Sequence, residues 1–204
     1  MIAIVNYGSG NVQAVANIYM RQHVPFVLAS TPEQLDQADH FLLPGVGAFD
    51  QCMQALNASG MRPSLETQVL EHKKPVIGIC VGMQLLARSS EEGSEPGLGW
   101  IDGTVKRFDQ AAFHQATHLP HMGWNTVEPA QQSHIFDGVD LATGYYFLHS
   151  YYFACDRQED VLAVTEYGGR FACAVHRDNV YGVQFHPEKS HLAGIRLLQN
   201  FATV

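Results

Sequence analysis

The first half of the chain alternates short apolar runs with segments that have the spacing of amphipathic helices. The apolar runs predict β-strands at Ile2–Val5 and at residues 25–29, 40–43 and 75–79. Helical patterns cover residues 11–22 and 64–73. The run at 75–79 has no polar alternation, which is typical of strands that are buried on both faces. Strand–helix alternation of this kind predicts an α/β fold built on a parallel sheet.

The second half, from about Gly103, has a different pattern, with strand candidates in close succession. They cover residues 104–108, 123–127, 145–148, 161–167, 171–175 and 180–185. We expect some of them to add antiparallel strands to the sheet. A last helix is predicted at His191–Phe201. Because the sequence has no linker, repeat or low-complexity stretch, residues 1–204 are predicted to form one domain.

Charge and composition exclude several classes of function. The formal net charge is −8 and the basic residues are scattered, whereas nucleic-acid-binding proteins usually carry a basic face. No stretch approaches the roughly 20 apolar residues of a membrane span, and the N-terminus lacks the pattern of a secretory signal. The four cysteines are widely spaced and indicate free thiols. We therefore expect no nucleic acid and no membrane as partner, and a cytoplasmic location.

Cys80 lies where a predicted strand turns into a helical pattern over residues 82–88, and it is flanked by Gly78 and Gly82. A nucleophile on such a sharp turn needs small neighbours, because side chains at those positions would collide with it. The amides that follow favour the thiolate, and that of Val81 can hold an oxyanion. The alternative is a small apolar cysteine that ends a buried strand. The paired glycines favour the nucleophile.

A candidate base for this nucleophile is His186, at the end of another apolar strand. Pro187 keeps His186 extended, and residues i and i+2 of an extended chain point the same way. His186 and Glu188 can therefore project together, and the carboxylate would then fix the imidazole tautomer. A strand-end histidine taken alone is more often structural. Ligand sites of open α/β sheets form at strand ends, however, and both motifs fall there.

Two further patterns carry weaker signals. A Gly-Ser-Gly sequence at residues 8–10 follows the first strand, but the third glycine of a dinucleotide turn is missing, so an ordinary strand-to-helix turn is favoured. His114, His118 and His121 have spacings that a metal can use, but no acidic ligand is near them. We therefore expect no metal and no cofactor.

The elbow at residues 78–84 (Gly-Ile-Cys-Val-Gly-Met-Gln) and residues 185–188 (Phe-His-Pro-Glu) resemble the class I glutamine amidotransferases, whose triad is Cys-His-Glu. Within that class, residues 120–125, 146–152 and 185–190 are similar to the glutaminase subunits of imidazole glycerol phosphate synthase. The similarity covers essentially the whole chain, and Val81 in place of a common leucine is a mild change. The resemblance implies a three-layer fold with a mostly parallel central sheet, helices on both faces and an antiparallel extension.

The resemblance also implies roles for individual residues. The triad is Cys80 as nucleophile, His186 as general base and acid, and Glu188 as the residue that orients His186. The oxyanion is held by backbone amides of Val81, Gly45, Val46 and Gly47, although residues 44–47 taken alone predict a plain strand-to-loop turn. The glutamine is held by Gln84, Glu92, Ser150 and Tyr151, with Glu92 at its α-amino group. The docking face for a partner contains Asn11, His121, Met122, Trp124, Tyr146 and Lys189.

The function implied by the resemblance is hydrolysis of glutamine to glutamate and ammonia. The ammonia passes to a separate cyclase, which is a TIM-barrel protein that makes imidazole glycerol phosphate and AICAR from PRFAR in histidine biosynthesis. A barrel takes about 250 residues, so beside a chain of 204 residues we expect the cyclase to be the other subunit of a heterodimer. Two alternatives remain. One is an amidotransferase with another acceptor, as in pyridoxal phosphate or nucleotide synthesis, and the other is a non-catalytic binding module.

Overall fold

The computed structural model describes residues 1–113 and 118–204. The first half alternates strands and helices, as the pattern predicts. Its elements are β1 (Ile2–Val5), α1 (Val12–Arg21), β2 (Phe26–Ala29), α2 (Pro32–Asp36), β3 (His40–Gly45), α3 (Phe49–Ala58), α4 (Arg62–Glu66), a π-helical segment (Thr67–Glu71), β4 (Val76–Cys80) and α5 (Val81–Gln84).

The second half is richer in strands. Its strands are β5 (Ser89–Ser90), β6 (Gly103–Arg107), β7 (His121–Asn125), β8 (Glu128–Pro129), β9 (Tyr145–His149), β10 (Tyr151–Cys155), β11 (Val161–Glu166), β12 (Arg170–Arg177) and β13 (Val180–Val183). The last helix is α6 (His191–Phe201), which coincides with its prediction. Short 3-10 turns occur between these elements, and the one at Pro187–Lys189 is important for the site.

Five parallel strands form the centre of the main sheet, in the order β2-β1-β3-β4-β13. Every residue of β1 and β4 is buried, which explains why these strands are apolar throughout. From β1 to β2 the chain moves one way across the sheet, and from β2 through β3 to β4 it moves back the other way. Because connections between parallel strands are right-handed, α1 lies on one face of the sheet and α2 to α4 lie on the other. Contacts of α1 with α6 and of α2 with α4 agree with this arrangement. The predicted three layers are therefore present.

The antiparallel strands follow β13. They continue the sheet in the order β12, β10 and β6, while β11 pairs with both β12 and β8. The strands predicted at 123–127 and 145–148 are also present, but β7 and β9 form a small sheet of their own, with His121 opposite His149. Among the helices of the described ranges, none combines the length and apolar character needed to cross a membrane.

Helix α3 is an element that the sequence pattern did not predict. Its buried residues, Phe49, Cys52, Met53 and Leu56, have helical spacing. The N-cap, however, is Ala48, whose side chain cannot accept a hydrogen bond. The usual start signal, a polar N-cap residue, is thus missing from the sequence, and the boundary between the preceding loop and the helix cannot be read from it.

The helix predicted after Cys80 is much shorter than residues 82–88. It ends at Gln84, because the next backbone carbonyls pair with another segment and do not continue a helix. Leu85, Leu86 and Ala87 accept hydrogen bonds from Leu98, Ile101 and Gly99 respectively. Two smaller differences are that β3 continues through Pro44 to Gly45 and that the predicted helix at 64–73 divides into α4 and the π-helical segment. Strand β10 was not predicted as a strand.

Candidate active site

Three neighbouring strands end at the same edge of the sheet and bring the predicted catalytic residues together. Gly45 of β3 pairs with Cys80 of β4, and Val183 of β13 pairs with Ile79 of β4. A cavity of about 300 Å³ opens at this edge. The predicted site residues that line it are Val46, Gly47, Cys80, Val81, Gln84, Glu92, Ser150, Tyr151, His186 and Lys189. The carboxyl ends of these strands therefore form the site, as expected for an open α/β sheet.

The backbone at Cys80 has the strained conformation of a nucleophile elbow. Its φ is 55° and its ψ is −115°, which non-glycine residues rarely adopt. A Cβ on Gly78 would lie 2.5 Å from the carbonyl oxygen of Gly82, and one on Gly82 would collide with the carbonyl oxygen of Leu43. Helix α5, which follows the elbow, has only four residues, so the site has the free amides of one helical turn, beginning with Val81, and no long helix dipole.

His186 and Glu188 are in direct contact. His186 Nδ1 lies 2.8 Å from Glu188 Oε1, and the two side chains are 4% and 3% exposed. His186 is extended, as predicted, but the pair meets because Pro187–Lys189 forms a 3-10 turn and not because an extended strand continues. Ser190 Oγ donates to the carbonyl of His186 at 2.6 Å, which fixes the turn.

The charge of His186 depends on its two partners. Burial alone lowers its pKa, but the interactions with Cys80 and Glu188 outweigh burial and raise the pKa to about 9. The ring is therefore an imidazolium at neutral pH, held between a carboxylate and a sulfur atom. A cysteine beside a protonated histidine is the usual arrangement of a reactive thiolate.

Gln184 contacts the nucleophile, although the sequence patterns did not single it out. Its Nε2 lies 3.8 Å from Cys80 Sγ, and its Oε1 accepts a hydrogen bond from Gln84 Nε2 at 3.0 Å. The side chain is fully buried. A polar residue inside the apolar run at 180–185 is an available signal, because buried polar side chains are uncommon and hydrogen-bonded.

The segment predicted to hold the oxyanion lies beside Cys80, but one of its amides is already engaged. Val46 N donates to Ser9 Oγ at 3.0 Å, so this amide does not point into the cavity. The Val46 carbonyl accepts hydrogen bonds from the same Ser9 Oγ at 3.0 Å and from Cys52 Sγ at 3.3 Å. Gly47, at the end of the segment, has a φ of +95°, a left-handed conformation that glycine adopts without steric cost. In this conformation Val46 cannot serve as an oxyanion donor.

The residues predicted to hold glutamine surround the rest of the cavity. Gln84 is buried, and its Nε2 donates to the carbonyl of Tyr151 at 3.2 Å. Glu92 Oε2 accepts from the amide of Phe49 at 2.9 Å, at the N-terminus of α3. Glu92 therefore places a carboxylate in the cavity wall, where it can meet an ammonium group.

The residues predicted for the docking face divide into two groups. Met122 and Trp124 are 64% and 48% exposed, Lys189 is exposed, and its Nζ lies 5.5 Å from the centre of the half-buried Tyr146 ring. Asn11 is exposed and caps α1 by accepting from Ala14 N. His121 is the exception: it is 3% exposed and its ring bonds to His149, so its side chain is not on an outer surface.

The two weaker sequence patterns are the Gly-Ser-Gly turn and the histidines with metal-like spacing. Residues 8–10 connect β1 to α1, in agreement with an ordinary strand-to-helix turn. Of the three histidines with metal-like spacing, His114 lies outside the described residues. Within residues 1–113 and 118–204, no group of three or more His, Cys, Asp and Glu side chains is arranged to hold a metal ion.

Comparison with known proteins decides the family. The sequence profile described as "Glutamine amidotransferase class-I" matches residues 3–204. The chain belongs to the class I glutamine amidotransferase family. The family predicted from residues 78–84 and 185–188 is thus confirmed, and the chain is an enzyme of this class.

Relatives extend the family assignment. A Bdellovibrio bacteriovorus protein named imidazole glycerol phosphate synthase subunit HisH is 52% identical over 100% of both chains. Subunit HisH of Leptospira interrogans is 45% identical over 100% of both chains, and subunit HisH 2 of Pseudomonas aeruginosa is 45% identical over 98% of both.

Two solved structures share the fold at low sequence identity. That of a glutamine amidotransferase has a TM-score of 0.73 at 19% identity, covering 100% of this chain and 99% of the other. That of the glutaminase domain of Trypanosoma brucei CTPS has a TM-score of 0.64 at 17% identity, covering 99% of this chain and 93% of the other. They confirm the predicted amidotransferase fold and add nothing about the substrate.

Proposed function

We propose that this amidotransferase hydrolyses glutamine with Cys80, His186 and Glu188 as its triad and delivers the ammonia to a cyclase subunit in histidine biosynthesis. The observation that carries the proposal is the geometry at the strand ends. A strained cysteine faces a protonated histidine, and that histidine is held 2.8 Å from a buried carboxylate. The relatives that match over the full chain bear the name of one subunit of imidazole glycerol phosphate synthase.

The triad supports a two-step reaction. The Cys80 thiolate attacks the amide carbon of glutamine, and the carbonyl oxygen becomes an oxyanion. His186 gives its proton to the nitrogen, the C–N bond breaks, and ammonia leaves a thioester on Cys80. His186 then takes a proton from water, which attacks the thioester, so glutamate is released and the thiolate returns. Glu188 keeps Nδ1 of His186 protonated, so that Nε2 performs both transfers.

The oxyanion segment supports control of this reaction. With the Val46 amide held by Ser9, hydrolysis lacks one donor until the segment at 45–47 changes its conformation. Glycine at positions 45 and 47 lowers the steric cost of such a change. We therefore expect slow hydrolysis by the isolated chain and faster hydrolysis when the partner and its substrate are present.

The partner is proposed to be a TIM-barrel cyclase that covers the mouth of the cavity. Met122 and Trp124 expose apolar surface on β7, where Met122 pairs with Leu148 of the cavity lining, and Lys189 lines the cavity itself. Ammonia that reaches bulk water at neutral pH becomes mostly ammonium, which is not a nucleophile, so an exit that opens into the partner preserves its reactivity. A cytoplasmic location is part of the proposal, in keeping with the free cysteines of the described residues and a biosynthetic pathway.

The two alternative functions have less support. An amidotransferase with another acceptor fits the fold, but the full-length relatives are named for imidazole glycerol phosphate synthase. A non-catalytic binding module would not need a strained cysteine beside a buried His–Glu pair, because strain of this kind costs about 1–3 kcal/mol.

The experiment that tests the proposal replaces the nucleophile. Cys80→Ala should abolish glutamate release from the complex with the cyclase, because no thioester can form, while synthesis from added ammonium salts should continue. A glutamine-analogue electrophile should label the wild-type chain at Cys80 and leave the variant unlabelled. Near-normal glutamate release by the variant, or labelling at another residue, would refute the triad. Assays with and without the cyclase measure the expected activation.

A further inference from the structure

Two buried histidines face each other across the small β7–β9 sheet, next to the cavity. His121 and His149 are 3% and 6% exposed, and they are direct partners in the register of the two strands. Nδ1 of His121 lies 2.9 Å from Nε2 of His149. The mechanism proposed above uses neither ring, although His149 lines the cavity.

The hydrogen bonds determine which nitrogen of each ring carries the proton. His149 Nδ1 lies 2.7 Å from the carbonyl oxygen of Tyr151, which can only accept, so this nitrogen carries the proton. In the neutral ring, His149 Nε2 is then an acceptor, and His121 must donate to it from Nδ1. His121 Nε2 accepts in turn from Asn125 Nδ2 at 3.3 Å. With both rings neutral, each is therefore protonated at Nδ1.

Burial among aromatic rings keeps the pair uncharged. His121 is stacked between Phe147 and Tyr167, with ring centres 4.6 Å and 3.9 Å away. His149 has Phe108 at 5.5 Å and Phe171 at 5.4 Å. Burial lowers the pKa of His121 to about 4. Burial, and after it the neighbouring His121, lowers the pKa of His149 to about 3.

The pair connects to the nucleophile through the backbone of the cavity wall. The Tyr151 carbonyl that accepts from His149 also accepts from Gln84 Nε2 at 3.2 Å. Gln84 donates as well to Gln184, whose Nε2 lies 3.8 Å from Cys80 Sγ. Tyr151 lines the cavity where glutamine is proposed to bind, together with its neighbour Ser150 and with Gln84 and His149.

We propose that His121 and His149 are positioning residues that hold the Tyr151 carbonyl, and with it the wall at Ser150 and Tyr151, in the conformation that binds glutamine. His149 can do so only as the Nδ1–H tautomer, and His121 enforces that tautomer by donating to Nε2. If the donor at position 121 is lost, a proton on His149 Nε2 leaves Nδ1 facing the carbonyl as a second acceptor. The peptide between Tyr151 and Tyr152, which carries this carbonyl, then loses its fixed orientation. This inference rests on the proposed function of the same cavity.

The test compares three variants with the wild-type chain in complex with the cyclase. His121→Leu removes the donor and should raise KM for glutamine about tenfold, with kcat within about twofold, because the triad is untouched. His121→Asn keeps a donor near the position of Nδ1 and should return KM to within about twofold of wild type. His176→Leu is the matched control, because His176 also stacks on an aromatic ring (Tyr181, 4.3 Å) and bonds a backbone carbonyl, but does not line the cavity. It should leave KM unchanged.

A second measurement does not depend on catalysis or on the folding of any variant. Nitrogen-15 NMR of the wild-type chain at neutral pH should give both His121 and His149 as neutral rings protonated at Nδ1. An Nε2–H tautomer or an imidazolium at either position would overturn the inference. So would a fall in kcat at unchanged KM in His121→Leu, or an Asn variant that is as impaired as the Leu variant. Failure of the proposed function would be seen in a different variant, because glutamate release would then survive in Cys80→Ala.

Discussion

The catalytic histidine and the histidine pair of the β7–β9 sheet are buried to a similar degree, yet their pKa values move in opposite directions. His186 is 3% exposed and its pKa is raised to about 9. His149 is 6% exposed and its pKa is lowered to about 3. Burial favours the neutral ring in both regions, but only His186 has a carboxylate and a sulfur atom as partners. His149 has a backbone carbonyl and a neutral imidazole.

The difference shows that the partner of a buried histidine sets its role. A ring held by Glu188 keeps its charge and can transfer protons at neutral pH. A ring held by the Tyr151 carbonyl cannot take up a proton at neutral pH and instead fixes the position of the backbone. Experiments that change the partner, the charge or the pH should therefore separate the two regions.

The largest expected effect is on stability in acid. His121 and His149 have folded pKa values below the ordinary 6.5, so the unfolded chain binds protons more readily than the folded chain. Their contribution to the free energy of unfolding is present in full above about pH 6.5. It is lost as the pH falls to about 4, by up to about 3 kcal/mol for each ring. Urea unfolding at pH 7 and pH 4.5 measures the loss. In His121→Asn the free energy of unfolding should fall less steeply between pH 7 and pH 4.5. An unchanged slope would contradict the inference that both rings are neutral in the folded chain.

The next effect is on turnover. His186→Ala should lower kcat by about 10³-fold, because it removes both proton transfers. Glu188→Ala should be milder, since it affects the orientation and charge of His186 but leaves the base in place. His149→Asn, which keeps a donor to Tyr151, should change kcat far less than either. Steady-state glutamate release from the complex measures all three, and equal losses at positions 186 and 149 would erase the distinction between the two regions.

Stability at alkaline pH should change in the opposite sense and by a smaller amount. The folded pKa of His186 is raised from 6.5 to about 9, so its contribution is complete below about pH 6.5 and is lost as the pH rises to about 9. The loss is up to about 3 kcal/mol. Glu188→Gln removes one of the interactions that raise the pKa of His186, so the free energy of unfolding should fall less steeply above pH 6.5 in this variant. His121→Asn should leave that alkaline slope unchanged. Unfolding free energies at pH 6.5 and pH 9 provide the measurement.

The smallest expected effect separates the two faces of β7. Trp124 is 48% exposed and stacks on His191, whereas His121 of the same strand points inward. Trp124→Ala should weaken binding of the cyclase by about 2 kcal/mol or more if it is an interface anchor. KM for glutamine at saturating cyclase should stay the same. Calorimetric titration gives the affinity, and an unchanged value would place the docking face elsewhere. Lys189→Glu, at the cavity rim, should slow association.

The sequence predicts the central sheet well because β1 and β4 are apolar without interruption, a pattern that a fully buried strand requires. It also identifies the elbow and the His-Pro-Glu motif, since their residues are close together in the chain. Helix α3 escapes prediction because Ala48 gives no start signal. The length of α5 depends on pairing with residues 98–101, and this contact is not visible locally.

The supporting residues of the site are the hardest to predict. Gln184, His149 and Ser9 act through partners that are far away in the sequence, such as Cys80, His121 and Val46. The resemblance places His121 on the docking face together with its exposed neighbours, but the alternation of a strand turns its side chain inward. The polar Gln184 inside an apolar run is a signal in the sequence, but the contacts of all three residues are seen only when the fold brings the strands together.

The close backbone contacts around Cys80 also bear on how this lineage can change over evolutionary time. Any single-nucleotide change in a glycine codon that alters the amino acid introduces a Cβ, and at positions 78 and 82 that atom meets main-chain atoms that no rotamer change can move. Selection should therefore remove such changes before their effect on chemistry matters. Divergence among descendants is expected instead at the outer face of β7, where new side chains can change the partner, and with it the acceptor, while the elbow remains the same.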